Sequence, residues 1–495
     1  MIKRFLDLKE NPIVREVYTA SKEAGVDAYL VGGVVRNLSL SFPIGCDYDI
    51  ALSGDVERVT NLFASRVGGS PFPLDRETGF FRVVVKGRES SQFGVRSSEL
   101  KSQISNLKSQ IYVDFSPFKG KDILEDLGFR DFTINAMALN LNHLFKGEVS
   151  ILDPFGGLED GKNRIIRVVG QNTFRDDPVR LLRAVRFASQ YSFTVEDVTA
   201  GAIKADAQLL SHSSWERIRD EFLILLSQAR TSQYLELLYK LGLLKEVITE
   251  VGGWEDIGGY DLLYHTLKTV EEVDALLSDI SGFLPELSMP LLEHLQETIG
   301  SIPRVGLLRL AAFLHDVGKP LTMKVEGERL RFIGHEVEGE DIGKRISKRL
   351  KLSKKAIAIV TRLIRNHHRV FALASLEKVS QRSKAHLFRS VGGEDGLELL
   401  LIALADARAT RGGDDPELAS LVKELISFYY AVYTVHRPPP LLNGHEVMDI
   451  LDIPEGVMVG RVLKKLAEAE AGGVVKDKKE AVSFIKTLYF VSDSH

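Results

Sequence analysis

Asp47 and Asp49 alternate with Tyr48 inside the apolar stretch "CDYDIAL". On a strand, residues i and i+2 share a face, so the two carboxylates converge. Two like charges at that spacing are unfavourable unless a cation lies between them. Mg2+, a hard ion that takes a few carboxylates together with substrate phosphates, suits such a pair. Its chemistry there would be activation of an attacking hydroxyl and stabilisation of a leaving pyrophosphate. The preceding "LVGGVVRN" points the same way. Gly32 and Gly33 let backbone N–H groups approach phosphate oxygens at the start of a helix. Arg36 is spaced to reach a triphosphate as a charge-assisted donor. Asp114, in "IYVDFSP", is a candidate third carboxylate and general base; the plain alternative is a surface aspartate. An Asp-x-Asp alone is equally at home in a surface loop. The Gly-Gly-x-x-Arg before it and Ile50-Ala51-Leu52 after it favour a site.

A second set lies in "FRDDPVRLLRAVRFASQYSF". Asp177 and Arg180 are three apart and would share a helix face, one offering acceptors and the other donors to the edge of a base. Arg183 continues that face. Asp176 reads as a helix cap ahead of Pro178 in the first turn. The plain alternative for the pair is an exposed salt bridge. Between Lys162 and Arg186, Lys162, Arg164, Arg167, Arg175, Arg180, Arg183 and Arg186 stand against Asp176 and Asp177. That is a basic footprint suited to RNA backbone or triphosphate. The chain as a whole has a net charge of −4, which excludes a polybasic binder.

A third set is rich in histidine. "FLHDVGKP" carries His315 and Asp316, with His265 upstream in "LLYHTLKTV", His335 in "GHEVEG", His367 and His368 in "RNHH", and Asp406 in "LADARAT". His and Asp spread over several helices suggest a metal site inside a bundle. His143, His212, His294, His386, His436 and His495 read as ordinary surface or core histidines.

These groups need elements to position them. At 495 residues the chain is long enough for about three or four domains. The first 150 residues read as mixed α/β: a helix at Val14–Ala24 and strands at Ala28–Val31, Tyr48–Leu52, Phe80–Val85 and Ile111–Phe115. The Ser/Gln/Lys-rich segment from Glu89 to Gln110, where "LKSQI" occurs twice, reads as a solvated insertion. From about Asp153 strand signals fade and helical periodicity dominates. "VGGWEDIGGYD" breaks the helical block, and "HRPPPLLNG" marks a linker before a tail with a helix–turn–helix pattern. The expected domains are 1–150, 151–255, 256–436 and 437–495. The single cysteine, Cys46, excludes an internal disulfide and fits a reducing compartment. The charged N-terminus lacks the apolar core of a signal peptide, and no apolar run is long enough to span a membrane. A cytoplasmic protein is expected.

"VGGVVRN…DYDIAL" resembles the head-domain signature of nucleotidyltransferases, in the bacterial (class II) branch of tRNA CCA-adding enzymes and poly(A) polymerases. "FRDFTINAMALN", "LDPFGGLEDGKNRIIRVVG", "FRDDPVRLLRAVRFASQYSF" and "WERIRDEFLILL" resemble, in order, that branch's ribose-recognition motif, hinge, base-recognition helix and RNA-binding neck. The likeness runs from about residue 25 to 250. It implies a multidomain α+β chain: a head with a small mixed sheet, an all-helical neck and body, then a helical HD domain. It also implies that Arg130 and Asp131, joined by Asn135, bind the ribose, and that Asp177 and Arg180 template an incoming CTP or ATP. Asp47 and Asp49 would hold Mg2+, and the expected partners are tRNA, ATP and CTP. Asn37, Phe129 and Asp176 depart from the family's usual residues, which leaves the nucleotide preference open. The implied activity is CCA addition, with A-only, CC-only or poly(A) addition as alternatives. The histidine set resembles HD-domain metal-dependent phosphohydrolases. By that resemblance His265, His315, Asp316 and Asp406 would hold one divalent ion, a transition metal or Mg2+, and His335 with His367 or His368 a second. HD folds joined to nucleotidyltransferases occur with and without turnover. The most distant alternative is therefore a phosphohydrolase whose head only binds RNA or nucleotide.

Overall fold

A computed structural model describes residues 1–75, 79–85, 110–327, 329–434, 441–471, 475 and 477–492. The repeat-bearing insertion, apart from Gln110, lies outside the described residues. So do residues 76–78, the prolines of the linker, His436 and His495. The chain divides into two units: residues 1–228 with 233–249, and residues 229–232 with 250–495.

The first unit is built on a seven-stranded sheet. Its strands are β1 (Ala28–Val31), β2 (Asp47–Leu52), β3 (Ser70–Asp75), β4 (Phe80–Val85), β5 (Ile111–Pro117), β6 (Ala138–Asn140) and β7 (Ile151–Leu152), in the order β3-β4-β5-β2-β1-β6-β7. β2 and β5 are parallel and every other pair is antiparallel. One face of the sheet closes a core in which Leu30, Ile50, Leu52, Val83, Val113 and Phe115 meet Val14, Val17 and Phe63 of two helices, α1 (Pro12–Ala24) and α2 (Val56–Val67). α1 starts two residues earlier than periodicity alone suggests. Asn11 accepts from the amides of Ile13 and Val14, and Pro12 takes the first helical position, where its missing N–H is harmless. Sequence reading misses β3 because "SPFPLD" carries two prolines. The strand stands at the sheet edge, where a lost ladder donor is tolerated.

The helices that follow in this unit include α3 (Arg180–Tyr191) and α4 (Trp215–Leu226), which pack on each other. Short parallel strands at Ile165–Ile166 and Thr194–Val195 are the exception to the fading strand signal there.

Among its described residues the second unit is helical apart from two strand pairings of two or three residues and an isolated bridge between Ile257 and Tyr260. Its centre holds α5 (Leu262–Ser278), α6 (Arg304–Leu314), α7 (His335–Arg349), α8 (Lys354–Asn366) and α9 (Asp395–Arg411). α6 is buried along its whole length and α9 from Asp395 to Ala407, as befits helices inside a bundle. The charges this buries are paired: Arg304 donates to Glu398 at 2.6 Å and to Asp395 at 2.7 Å. His294 sits 3.1 Å from the same glutamate, a structural role. The tail forms helices at Gly444–Leu451, Val457–Ala471 and Lys478–Ser492 around its own core, including Leu442, Val447, Val462, Leu466 and Ile485.

Candidate active site and metal centre

Strand alternation sorts β2 into two faces. Tyr48, Ile50 and Leu52 join the apolar core, which leaves Asp47, Asp49 and Ala51 on the other side. β4 and β5 alternate likewise, so Arg82 lies opposite Asp114, and Asp114 opposite Asp49. This face opens on a cleft of about 560 Å³. Asp47, Asp49 and Asp114 line it together with Gly32, Gly33, Arg36, Arg130, Asp131, Asn135, Asp177, Arg180 and Arg183. Every residue expected to meet the metal, triphosphate, ribose or base thus borders one cavity.

Burial pushes the carboxyls of Asp47 and Asp49 above the usual range. The like charge of Asp114 adds to this, and Arg82 and Arg130 respectively oppose it. Carboxylates raised in this way gain from a divalent cation, so this donor set fits one. Gly32 caps the helix at Gly33–Ser39 with φ of 64°, and a Cβ there would stand 3.0 Å from Asp49 Oδ2. Both the conformation and the close approach require glycine.

Several side chains are engaged otherwise than expected. Arg36 is not extended toward a triphosphate. Its guanidinium donates to Asn135 Oδ1 and, at 2.6 Å, to the Tyr191 hydroxyl, and lies 5.0 and 4.7 Å from the Phe187 and Tyr191 ring centres. It is buried and braces the cleft wall, because α3 folds back onto the head. Asp131 is buried too, held by Arg183 at 2.7 Å and by donors from Asn135 and Phe132, both at 2.8 Å. Burial alone would raise its carboxyl, but Arg183 and these hydrogen bonds hold it below the usual range.

Asp177 and Arg180 do not share a helix. Asp177 is extended, with φ −153° and ψ 95°, because the residue before Pro178 is pushed out of the helical region. α3 begins at Arg180, and Asp176 ends the preceding turn Thr173–Asp176 rather than capping α3. The pair still meets, at 3.8 Å. Arg180 donates to the Phe129 carbonyl at 2.9 Å. Both oxygens of Asp177 accept from Arg217 on α4, at 2.9 and 2.7 Å.

In the helical unit His265, on α5, His315, at the end of α6, His335, the first residue of α7, and His367, at the end of α8, converge on Asp316. Nε2 of His265 and His315 lie 3.3 and 3.1 Å from Asp316 Oδ2, and those of His335 and His367 lie 3.1 and 3.7 Å from Oδ1. Asp406 Oδ1 is 3.2 Å from His265 Nε2. His367 and His368 both reach His335, at 3.3 and 3.1 Å. Among the described residues, His265, His315 and Asp316, and separately His335, His367 and His368, form groups compact enough for a metal ion. Nδ1 of His315, His335 and His367 each face a backbone carbonyl, at 2.8, 2.6 and 2.7 Å. An Nδ1–H donated there turns the Nε2 lone pair inward, the arrangement a ligating histidine needs. Burial lowers His315, but Asp316 and Asp406 overcome it and push the ring up to about 10. The carboxylates therefore favour positive charge at His315, whereas burial and the neighbouring His315 ring push His367 down to about 3.

Sequence reasoning missed Arg82, Arg217, Tyr191 and Lys319. Arg82 alone had a legible signal, a lone cation on the polar face of an otherwise apolar strand. Lys319 lies 2.5 Å from Asp316 and 3.2 Å from the Tyr260 hydroxyl, one turn beyond the His-Asp pair.

Known families match in three places. The Poly A polymerase head domain matches residues 28–167, the probable RNA and SrmB-binding site of polymerase A matches 192–252, and the HD domain matches 288–411. The A-adding tRNA nucleotidyltransferase of Deinococcus radiodurans is 32% identical over 471 residues, 93% of this chain and 95% of that protein. The CC-adding tRNA nucleotidyltransferase of Geobacter sulfurreducens is 29% identical over 98% of this chain and 97% of its own. The solved Thermotoga maritima CCA-adding enzyme complexed with tRNA has a TM-score of 0.57 at 20% identity, covering 99% of this chain and 98% of that one. At that identity the likeness is one of fold.

Proposed function

Since the chain belongs to the tRNA nucleotidyltransferase family, we propose that it adds CMP and AMP, from CTP and ATP, to the 3′ end of tRNA. The observation that carries this is the single cleft that joins the Asp47–Asp49–Asp114 face to the Asp131–Arg183 and Asp177–Arg180 pairs. Asp47 and Asp49 would hold Mg2+, which when bound supplies activation of the 3′ hydroxyl and stabilisation of the departing pyrophosphate. Asp114 accepts the 3′-hydroxyl proton as the oxygen attacks the α-phosphorus and the α–β anhydride bond breaks. Gly32 and Gly33 admit the triphosphate close to the backbone. Asp131, Asn135 and Arg130 select the ribose, and Asp131 also sets Arg183. Asp177 and Arg180 present acceptors and donors to the base. A cytoplasmic location accords with the chain's single cysteine. No described helix is long and apolar enough to cross a membrane.

The test is incubation with tRNA lacking its 3′ nucleotides, with CTP alone, ATP alone or both. Full CCA addition requires both and gives three added residues. Incorporation only from ATP and only onto tRNA already ending in CC assigns an A-adding enzyme instead, and arrest after CC with both nucleotides present assigns a CC-adding one. No incorporation with Mg2+ under any condition overturns the reading.

The histidine cage supports a second activity, hydrolysis of a phosphoester. Its donors fit a divalent transition metal or Mg2+. Asp316 belongs to the His265–His315 group and places its Oδ1 3.1 Å from His335 of the other, and Lys319 beside it is placed to receive a phosphate oxygen.

A further inference from the structure

The catalytic face of the sheet carries a cation of its own. Arg82, Asp114 and Asp49 form one row across β4, β5 and β2. Neighbouring strands lie about 4.8 Å apart, so each group reaches the next. Arg82 uses that reach in full: Nε donates to Asp114 Oδ1 at 2.6 Å and Nη2 to Oδ2 at 2.7 Å. The ring of Tyr112, one pleat along the same face, lies 5.2 Å from the guanidinium and supports it. The fork takes one acceptor site on each oxygen and fixes the carboxylate's orientation, so a metal ion or a hydroxyl proton is left the remaining lone pairs of a carboxylate turned toward Arg82. The two side chains keep 34% and 26% of their surface exposed, and Asp114 lines the cleft, so the exchange is open to solvent. A part-exposed ion pair is a modest interaction. It is strong enough to set the resting geometry and weak enough to yield to a doubly charged ion.

We propose that Arg82 is a positioning residue that gates the third carboxylate. It keeps Asp114 occupied while Asp47 and Asp49 alone face a first divalent ion, and releases it when a second ion and the RNA 3′ end arrive. A base withheld in this way is not offered to water, so the bound triphosphate is spared hydrolysis until the RNA is in place. The inference rests on the role given above to Asp114.

The test is a Mn2+ titration of the full chain by isothermal calorimetry, without RNA or nucleotide. An Asp47→Asn protein supplies the background from the histidine cage, and thermal melts check folding. Arg82→Gln is expected to tighten head-site binding at least fivefold. Adding Asp114→Asn to it abolishes the gain, and Arg82→Lys, which keeps the charge without the fork, falls between. Arg82→Gln also releases pyrophosphate from ATP faster than wild type in the absence of RNA. Superimposable wild-type and Arg82→Gln isotherms, or weaker binding in a variant that melts normally, overturn the gate. Asp114→Asn alone separates the two ideas. If it adds nucleotides at the wild-type rate, the role of Asp114 in the reaction fails. If it is inactive while the Arg82 isotherms coincide, only the gate fails.

Discussion

Arg217 holds both carboxylate oxygens of Asp177, at 2.9 and 2.7 Å, from a helix forty residues further along the chain. The group read as a base acceptor is therefore aimed by the neck rather than by its own local backbone. Removing one bidentate charge-assisted contact at a part-exposed site corresponds to about 1.4 kcal/mol, or tenfold. Arg217→Ala is expected to lower kcat/KM for the correct nucleotide by about that factor and to weaken discrimination between CTP and ATP. Competition between the two nucleotides on one primer measures both. An unchanged product ratio would show that Asp177 needs no such support.

Asp49 is held against its preference to ionise. Its folded-state carboxyl lies above the unfolded value, so the ionised form costs stability above that value and the cost fades as pH falls through the raised one. Asp49→Asn should therefore melt at a higher temperature than wild type near pH 8, and the gap should close toward pH 4. Nucleotide incorporation is expected to be lost throughout. Mg2+ should raise the melting temperature of wild type more than that of Asp49→Asn.

Asp131 has the opposite sign. Its folded carboxyl lies below the unfolded value, so its contribution is present above that value and lost as pH falls through the lower folded one. Asp131→Asn leaves Arg183, whose side chain is 40% exposed, beside a neutral amide with Glu221 at 3.6 Å as its remaining carboxylate partner. Because solvent screens the arginine side of the pair, the loss costs about 1–2 kcal/mol at neutral pH. Urea unfolding of the two proteins at pH 7 and pH 3 checks this: the difference should shrink at the lower pH.

Asp316 stands between the two histidine groups, one oxygen toward each. Metal analysis of the purified chain is expected to show loss of all cage metal in Asp316→Ala, and retention of part of it in His335→Ala. Asp47→Ala should leave the cage content unchanged. Equal metal in Asp316→Ala and wild type would remove the cage from consideration.

Much of this architecture was legible in order along the chain. The strands that carry Asp47, Asp49 and Asp114 alternate cleanly between apolar and polar residues, and alternation is a local property. The histidine ligands stood out because imidazole and carboxylate groups recur across several helical segments. β3 escaped because its prolines contradict a strand unless the strand is an edge, and edge position is a property of the whole sheet. The spacing of Asp177 and Arg180 predicts a shared helix, whereas Pro178 shifts the helix start beyond Asp177. The resemblance leaves His367 and His368 as alternatives beside His335. The chain leaves the helix at that point, and both reach His335.

Residue types and short-range spacing, by themselves, determined the carboxylate pair, its glycine turn, the metal-ligand inventory and the class of chemistry. Tertiary structure alone decided which charge each group meets. Arg36 became a brace because Phe187 and Tyr191 close over it, Asp114 acquired Arg82, and Asp177 acquired Arg217. The physical reason is range. Backbone conformation follows from a few neighbouring residues, whereas an ion pair or a buried cation depends on groups that meet only when distant strands and helices pack.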